Sequence, residues 1–141
     1  GKARTIKILK FAASGVPIHG AIAAGGLVEP FTDTQEKLDL SAIFHQSDYF
    51  ALKVIGDSMI GDSIVEGDMA IMHPVKNSVE VKNGTIVAAH VEGQGTTLKR
   101  YHRQGDTIAL QAANPKYKPI EAQADLVQIQ GILVGVWRGY R

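Results

Sequence analysis

The sequence predicts a mostly β domain, and three observations lead to that fold class. Short runs of strand-forming residues recur along the chain, glycine or proline ends most of them, and no long stretch keeps the apolar period of a helix. The chain has 141 residues, of which 45% are hydrophobic and 21% charged, so it is large and apolar enough for a folded core of its own.

The elements can be taken in chain order. Residues 1–10 alternate as a strand does, residues 11–28 form a flexible Gly- and Ala-rich segment with little to anchor it, and residues 29–47 allow at most one short helical turn, at 39–44. A strand over residues 49–55 ends at Gly56. Turn signals such as Asn83-Gly84 separate the later strands, which are predicted at residues 69–72, 85–91, 96–102, 107–111 and 127–137. Many short strands joined by turns are typical of an all-β or mostly β sheet fold.

Composition excludes several function classes. Because the chain has no cysteine, it cannot form a thiolate-ligated metal site, a redox dithiol or a cysteine nucleophile. Fifteen basic against fourteen acidic residues give a net charge of +1, so this domain lacks the basic surface of a nucleic-acid binder, and any DNA contact must come from another segment. The longest uncharged run, residues 11–28, contains Pro17, His19 and several glycines, so no membrane span is predicted.

The densest cluster of polar residues lies at 54–68. Three aspartates there suggest a calcium loop, but Met59 and Ile60 stand where oxygen ligands are needed. Ser58 does not fit the spacing of an esterase elbow either. The five histidines show no i, i+4 pairing, so no metal site is predicted, although spacing alone leaves open a triad in which one of them serves as the base.

A second chemically informative residue is Lys99, which lies inside a predicted strand. A lysine there is ordinarily an edge charge exposed to solvent. If its amine instead faces a dry interior beside Ser58, desolvation lowers the pKa of the amine, and the neutral amine can act as a general base for a serine hydroxyl. Residue types alone leave both interpretations open.

These residues belong to a larger set of motifs that resembles the LexA repressor family, which also includes UmuD-type proteins and phage repressors. The motifs cover residues 15–138 and are Val16-Pro17-Ile18-x-Gly20-x-Ile22-Ala23-Ala24-Gly25, Val54-x-Gly56-x-Ser58-Met59, Ile64-x-x-Gly67-Asp68, Gly84-x-x-Val87-Ala88, Thr97-Leu98-Lys99-Arg100, Asn114-Pro115-x-Tyr117-x-Pro119-Ile120 and Gly131-x-x-x-Gly135-x-x-Arg138.

The resemblance implies a LexA/signal-peptidase-like β-sheet fold with a flexible N-terminal cleavage segment, and a self-cleaving Ser-Lys peptidase. Ser58 would be the nucleophile and Lys99 the base, Gly56 and Met59 would shape the site, and the bond between Ala24 and Gly25 would be cut. No cofactor or metal is implied.

The resemblance also implies an organisation and a set of partners. Residues 1–14 would be the end of a winged helix-turn-helix domain with its hinge, and 15–141 the autoproteolytic and dimerisation domain. The expected partners are a second copy, paired through the last strand from Ile129 to Trp137, an activated RecA–single-stranded DNA filament, and operator DNA bound through the DNA-binding domain that is otherwise absent from this chain. The expected setting is cytoplasmic repression of SOS-response genes.

Two alternatives remain at this point. A UmuD-like polymerase accessory protein would use the same dyad to process itself, although the resemblance of residues 1–6 to a winged helix favours the repressor. A non-catalytic dimerisation module would carry the same residues without using them.

Overall fold

The computed structural model of the chain describes residues 15–26, 36–44, 48–77 and 80–140. These residues fall into two compact units, Gly1–Ser47 and Asp48–Arg141. The predicted strand at residues 1–10 and the winged-helix remnant with its hinge at 1–14 lie outside the described residues.

The first unit contains two short strands and one helical turn. Strand β1 (Val16–Pro17) pairs antiparallel with β2 (Lys37–Leu38), a pairing that the sequence did not predict. The expected helical turn is confirmed as α1 (Leu40–Ile43), and it begins after Asp39, whose side chain accepts a hydrogen bond from the backbone N–H of Ser41 at 3.0 Å.

The second unit is built on an antiparallel sheet. Among the described residues it has seven strands, in the spatial order β3-β4-β9-β5-β6-β7-β8. Their bounds are β3 (Phe50–Lys53), β4 (Met69–Pro74), β5 (Ile86–Val91), β6 (Gly95–Gln104), β7 (Thr107–Gln111), β8 (Ile120–Gln123) and β9 (Val127–Trp137). The mostly β fold class is therefore confirmed, and the predicted bounds of β7 and β9 match those of the structure.

Strand β8 was missed in the sequence analysis. Among the described residues it is a four-residue edge strand that pairs with β7 alone, and its half-buried residues Ile120 and Ala122 alternate with exposed polar ones. Four alternating residues after Pro119 give a weak period-2 signal, which explains the omission.

No helix in the described part of the chain is long and apolar enough to cross a membrane.

Apolar residues on both faces of the sheet form the core, and β5 contributes residues to both faces. Val87, Ala89 and Val91 pack in the larger cluster, with residues from β6, β7 and β9, whereas Ala88 points into a smaller cluster with Ala70 and Met72 of β4. This two-sided burial follows from the period-2 alternation of side chains in a strand.

The last strand lies in the middle of the sheet. From Val127 to Ile132, β9 pairs with β5, and from Gly131 to Trp137 it pairs with β4. Gly131 and Ile132 are therefore paired on both sides and are not available as a free edge. From Val134 to Trp137, the described residues provide a neighbouring strand on the β4 side only, and Val134, Val136 and Trp137 are exposed.

Candidate active site

Ser58 lies in a loop that connects β3 to β4 and is closed at its base by hydrogen bonds. Val54 N–H donates to Asp68 O at 2.8 Å, and Gly67 N–H donates to Val54 O at 2.9 Å. Gly56 N–H donates to the Glu66 carboxylate at 3.1 Å. Because both ends of the loop are held by the same bonds, Ser58 is presented from a constrained segment.

Gly56 and Met59 support Ser58 in two different ways, one through its backbone conformation and the other through its burial. Gly56 has φ +85°, a left-handed conformation that residues with a Cβ rarely adopt, so glycine lets the chain turn after β3. Met59 is 2% exposed, and its carbonyl accepts from Asp62 N–H and Ile64 N–H at 3.0 and 3.2 Å. The buried Met59 therefore anchors the residue that follows Ser58.

A second set of bonds holds the far side of the same loop. The buried carboxylate of Asp68 accepts Arg138 Nε–H at 2.6 Å, Arg138 Nη2–H at 2.8 Å and Val65 N–H at 2.9 Å. Arg138 also donates to Ser63 O at 2.9 Å. The hydrogen bonds from Arg138 lower the pKa of the Asp68 carboxyl to about 2. The end of β9 is thereby tied to the loop that carries Ser58.

Strand β6 places Lys99 on the face of the sheet that carries the larger core cluster. Because side chains alternate along a strand, Thr97, Lys99 and Tyr101 share one face. Tyr101 is 1% exposed and belongs to the main core cluster, and Lys99 itself is 8% exposed. The edge-charge interpretation of Lys99 is therefore excluded by its burial.

The amine of Lys99 has three polar partners. Its Nζ atom lies 3.0 Å from Ser58 Oγ, 2.6 Å from Thr97 Oγ1 and 3.2 Å from Leu98 O. Desolvation by burial lowers the pKa of the amine from its ordinary value, and no charged partner contributes to the shift. The arrangement therefore favours an uncharged amine within hydrogen-bonding reach of the Ser58 hydroxyl group.

A cleft of about 310 Å³ opens at these two residues. One wall is formed by Lys53, at the end of the edge strand β3, and by Ile55, which follows that strand. The other wall is the start of β6 with Thr96 and Thr97. Three strands separate β3 from β6 in the sheet, so the sheet curls to bring them to one cleft. Most of the remaining lining is apolar, and consists of Leu52, Val54, Met59, Ala70 and Leu98. A cleft between an edge strand and another strand can hold an extended peptide.

The other candidate residues of the sequence lie in different surroundings. Ala24 and Gly25 are exposed and form the tip of a turn that is closed by an antiparallel bridge between Ala23 and Gly26. Of the described histidines, none is hydrogen-bonded to Ser58, and His90 Nδ1 lies 3.2 Å from Thr96 Oγ1. His45 lies outside the described residues. In the described part of the chain, no three His, Asp or Glu side chains are grouped as metal ligands.

Thr97 belongs to the motif Thr97-Leu98-Lys99-Arg100, and the sequence alone indicates no role for it. Its hydroxyl makes the shortest of the contacts to the Lys99 amine. The signal that could have identified it is its position two residues before Lys99, which puts both side chains on one face of the strand.

Comparison with known proteins adds the family. The model of the family described as "Peptidase S24-like" matches residues 17–134. A transcription regulator LexA from Synechocystis sp. is 40% identical over 141 residues, which is all of this chain and 70% of that protein. LexA repressors from Koribacter versatilis and Gluconacetobacter diazotrophicus are 39% and 40% identical over 129 and 126 residues, or 60% and 49% of their own lengths.

The S24-like match covers most of the chain, including the loop of Ser58 and the strand of Lys99. The Synechocystis regulator is similar to this chain along all of its 141 residues. The chain spans only part of each of these relatives. The chain therefore belongs to the S24-like peptidase family and corresponds to the carboxy-terminal domain of LexA-type repressors.

Proposed function

We propose that this chain is the self-cleaving domain of an SOS-response repressor, and that it inactivates the repressor by cutting its own bond between Ala24 and Gly25. Ser58 is the nucleophile and Lys99 is the general base in this proposal. The observation that supports it most directly is the 3.0 Å separation between Lys99 Nζ and Ser58 Oγ, with the amine buried.

The three partners of the amine can all be satisfied when the amine is neutral. An uncharged amine has two N–H bonds and one lone pair. In the neutral form, the two N–H bonds would donate to Thr97 Oγ1 and Leu98 O, and the lone pair would be left to accept the hydroxyl proton of Ser58, whose Oγ lies 3.0 Å away. Protonation would convert this acceptor into a third donor, so the base works only in the deprotonated form.

The reaction proceeds in two halves. Lys99 takes the Ser58 proton as Oγ attacks the carbonyl carbon of Ala24, and the resulting ammonium gives a proton to the Gly25 nitrogen as the peptide bond breaks. The ester between Ser58 and Ala24 is then hydrolysed by water, with Lys99 again acting as the base. We assign the oxyanion donors to backbone amides in the Ser58 loop.

Tethering replaces substrate binding in this scheme. The turn at Ala24 and Gly25 is part of the same chain as Ser58, so the reaction is unimolecular and needs no affinity for an external peptide. Ala24 has a one-carbon side chain that suits a cleft walled by apolar residues. An activated RecA–single-stranded DNA filament would act by favouring the conformer in which the turn is docked.

The second half of β9 supports a dimeric repressor. Within the part of the chain that the structure describes, Val134 to Trp137 have a neighbouring strand on the β4 side only and present exposed apolar side chains, so a two-fold partner could extend the sheet there. In the proposed whole protein, such a dimer pairs two N-terminal DNA-binding domains over operator half-sites in the cytoplasm.

Incubation of the purified chain from neutral to alkaline pH tests the proposal. Intact-mass measurement should show two fragments that separate after Ala24, formed faster as the pH rises, and none from Ser58→Ala. Equal persistence of wild type and Ser58→Ala at high pH would leave the chain as a non-catalytic dimerisation module. A cut at another bond would refute the assignment of Ala24 and Gly25.

A further inference from the structure

The motif Asn114-Pro115-x-Tyr117 has no role in the reaction described so far, yet it contacts the turn that carries Ser58. We call residues 57–61 the Ser58 turn and residues 113–117 the 113–117 loop. The loop joins β7 to β8, at the opposite side of the sheet from β3. The contact therefore joins parts of the chain that are far apart in the sequence, and it reaches the residues on either side of Ser58.

The first end of the Ser58 turn is held at Asp57. The Tyr117 hydroxyl donates to Asp57 Oδ1, and Asn114 Nδ2–H donates to Asp57 O at 2.9 Å. Lys116 Nζ lies 3.9 Å from the other carboxylate oxygen. The residue immediately before the nucleophile is thus bound through both its side chain and its backbone.

The second end of the Ser58 turn is held at Gly61. Gly61 N–H donates to Ala113 O at 2.6 Å. A Cβ built at Gly61 would lie 2.6 Å from the same oxygen, a distance that real Cβ atoms do not show. Glycine at this position is therefore required by the close approach of the 113–117 loop.

The 113–117 loop is itself organised to make these bonds. Asn114 Oδ1 accepts Lys116 N–H at 3.0 Å, and Asn114 O accepts Tyr117 N–H at 3.1 Å. Pro115 restricts the backbone between them. The loop is a preformed turn, so holding the Ser58 turn costs it little additional ordering.

We infer that Tyr117 is a positioning residue for the nucleophile, which acts through Asp57 to hold Ser58 Oγ within reach of Lys99. This inference rests on the proposed function, since it assigns Ser58 as the nucleophile. A displacement of about 1 Å at a reacting atom can cost up to about a hundredfold in rate. Two anchors that flank Ser58, both from one loop, limit that displacement.

The charge of the pair supports the same role. The hydrogen bond from Tyr117 lowers the pKa of the Asp57 carboxyl below its usual range, and the bond to Asp57 raises the pKa of the Tyr117 phenol above its usual range. Asp57 is therefore ionised and Tyr117 protonated at neutral and mildly alkaline pH. The bond is therefore kept at neutral and mildly alkaline pH.

Self-cleavage rates of single and double variants test the inference. Tyr117→Phe and Asp57→Ala should each slow cleavage about tenfold, which is a part of the loss that a misplaced reacting atom can cause. Because both remove the same bond, the double variant should be no slower than the slower single variant. The midpoint of the pH profile should stay at the wild-type value, since the base is untouched. Tyr140→Phe, which removes an exposed hydroxyl that interacts with Arg138 instead, should cleave as the wild type does.

A second readout does not depend on cleavage. In the Ser58→Ala background, amide hydrogen exchange at Gly61 should be about tenfold faster in Tyr117→Phe and unchanged in Tyr140→Phe. Wild-type exchange at Gly61 in Tyr117→Phe would overturn the inference, as would multiplicative losses in the double variant or a Tyr117→Phe rate equal to wild type. If the wild-type chain does not cleave itself, the proposed function fails, and exchange alone then decides whether the 113–117 loop holds the turn.

Discussion

Replacement of Lys99 by methionine tests the central chemistry, because the new side chain keeps an apolar stem and removes the amine. The lost group lies 3.0 Å from Ser58 Oγ and within hydrogen-bonding distance of two further oxygens. General-base catalysis contributes about 10² to 10⁴ in rate. We expect Lys99→Met to slow self-cleavage about a thousandfold, which corresponds to about 4 kcal/mol of activation free energy.

The pH dependence of the wild-type rate follows from the same amine. Desolvation by burial is the cause of the lowered pKa. One proton must leave, so the rate should rise about tenfold per pH unit below the folded-state pKa of Lys99 and level off before the ordinary lysine value is reached. Lys99→Met should lose this rise.

Stability provides a second test with a defined sign. Since burial lowers the pKa of Lys99 in the folded state, the unfolded chain binds more protons between the folded-state pKa and the ordinary lysine value. The free energy of unfolding contributed by Lys99 therefore increases with pH across that window. Thermal unfolding in the Ser58→Ala background, where cleavage cannot interfere, should show this slope with Lys99 and lack it in Lys99→Met.

The assay is intact-mass measurement of fragment formation over time, at pH steps from neutral to alkaline. Cleavage of Lys99→Met at the wild-type rate would refute the assignment of the base. A plateau near the ordinary histidine pKa in the wild type would instead direct attention to a histidine. Folding of each variant is checked by circular dichroism.

The remaining predictions concern the groups around the dyad. Thr97→Val removes the closest partner of the amine and leaves a buried N–H without an acceptor, so it should slow cleavage about tenfold and lower the free energy of unfolding by about 1–3 kcal/mol. Asp68→Asn should lower the melting temperature at neutral pH. Asp68 stabilises the fold only where it is ionised, so the difference from wild type should stay constant above the ordinary carboxyl pKa and close as the pH falls to about 2. Val136→Lys places a charge at the open edge of β9 and should shift sedimentation from dimer to monomer without unfolding the domain; a dimer that persists would place the interface elsewhere.

Local patterns in the sequence account for much of the fold. Apolar alternation and glycine-ended runs predict the positions of β3 to β7 and β9, because those signals depend on residues that are neighbours in the chain. The short edge strand β8 carries too few alternating residues for such a signal. The pairing of Val16–Pro17 with Lys37–Leu38 was also missed, since two-residue strands leave almost no pattern.

The candidate site divides in a similar way. The resemblance singled out Ser58 and Lys99 as chemically special, and the position of Lys99 in a strand interior raised the question of a buried amine. Thr97 and Tyr117 stood in quoted motifs, but their roles depend on which atoms their hydroxyl groups reach. The contact of Thr97 follows from the alternation of side chains along β6. The contact of Tyr117 follows from the packing of the 113–117 loop against the Ser58 turn.

By itself the sequence determined the fold class, most strand positions and the chemical types at the candidate site, because each depends on composition or on nearby residues. Only the tertiary structure decided that β9 lies between β4 and β5, that the sheet curls to form a cleft between β3 and β6, and that Tyr117 contacts Asp57 sixty residues away. Strand order and loop contacts arise from competition among many long-range packings, and no local pattern records which of them has the lowest free energy.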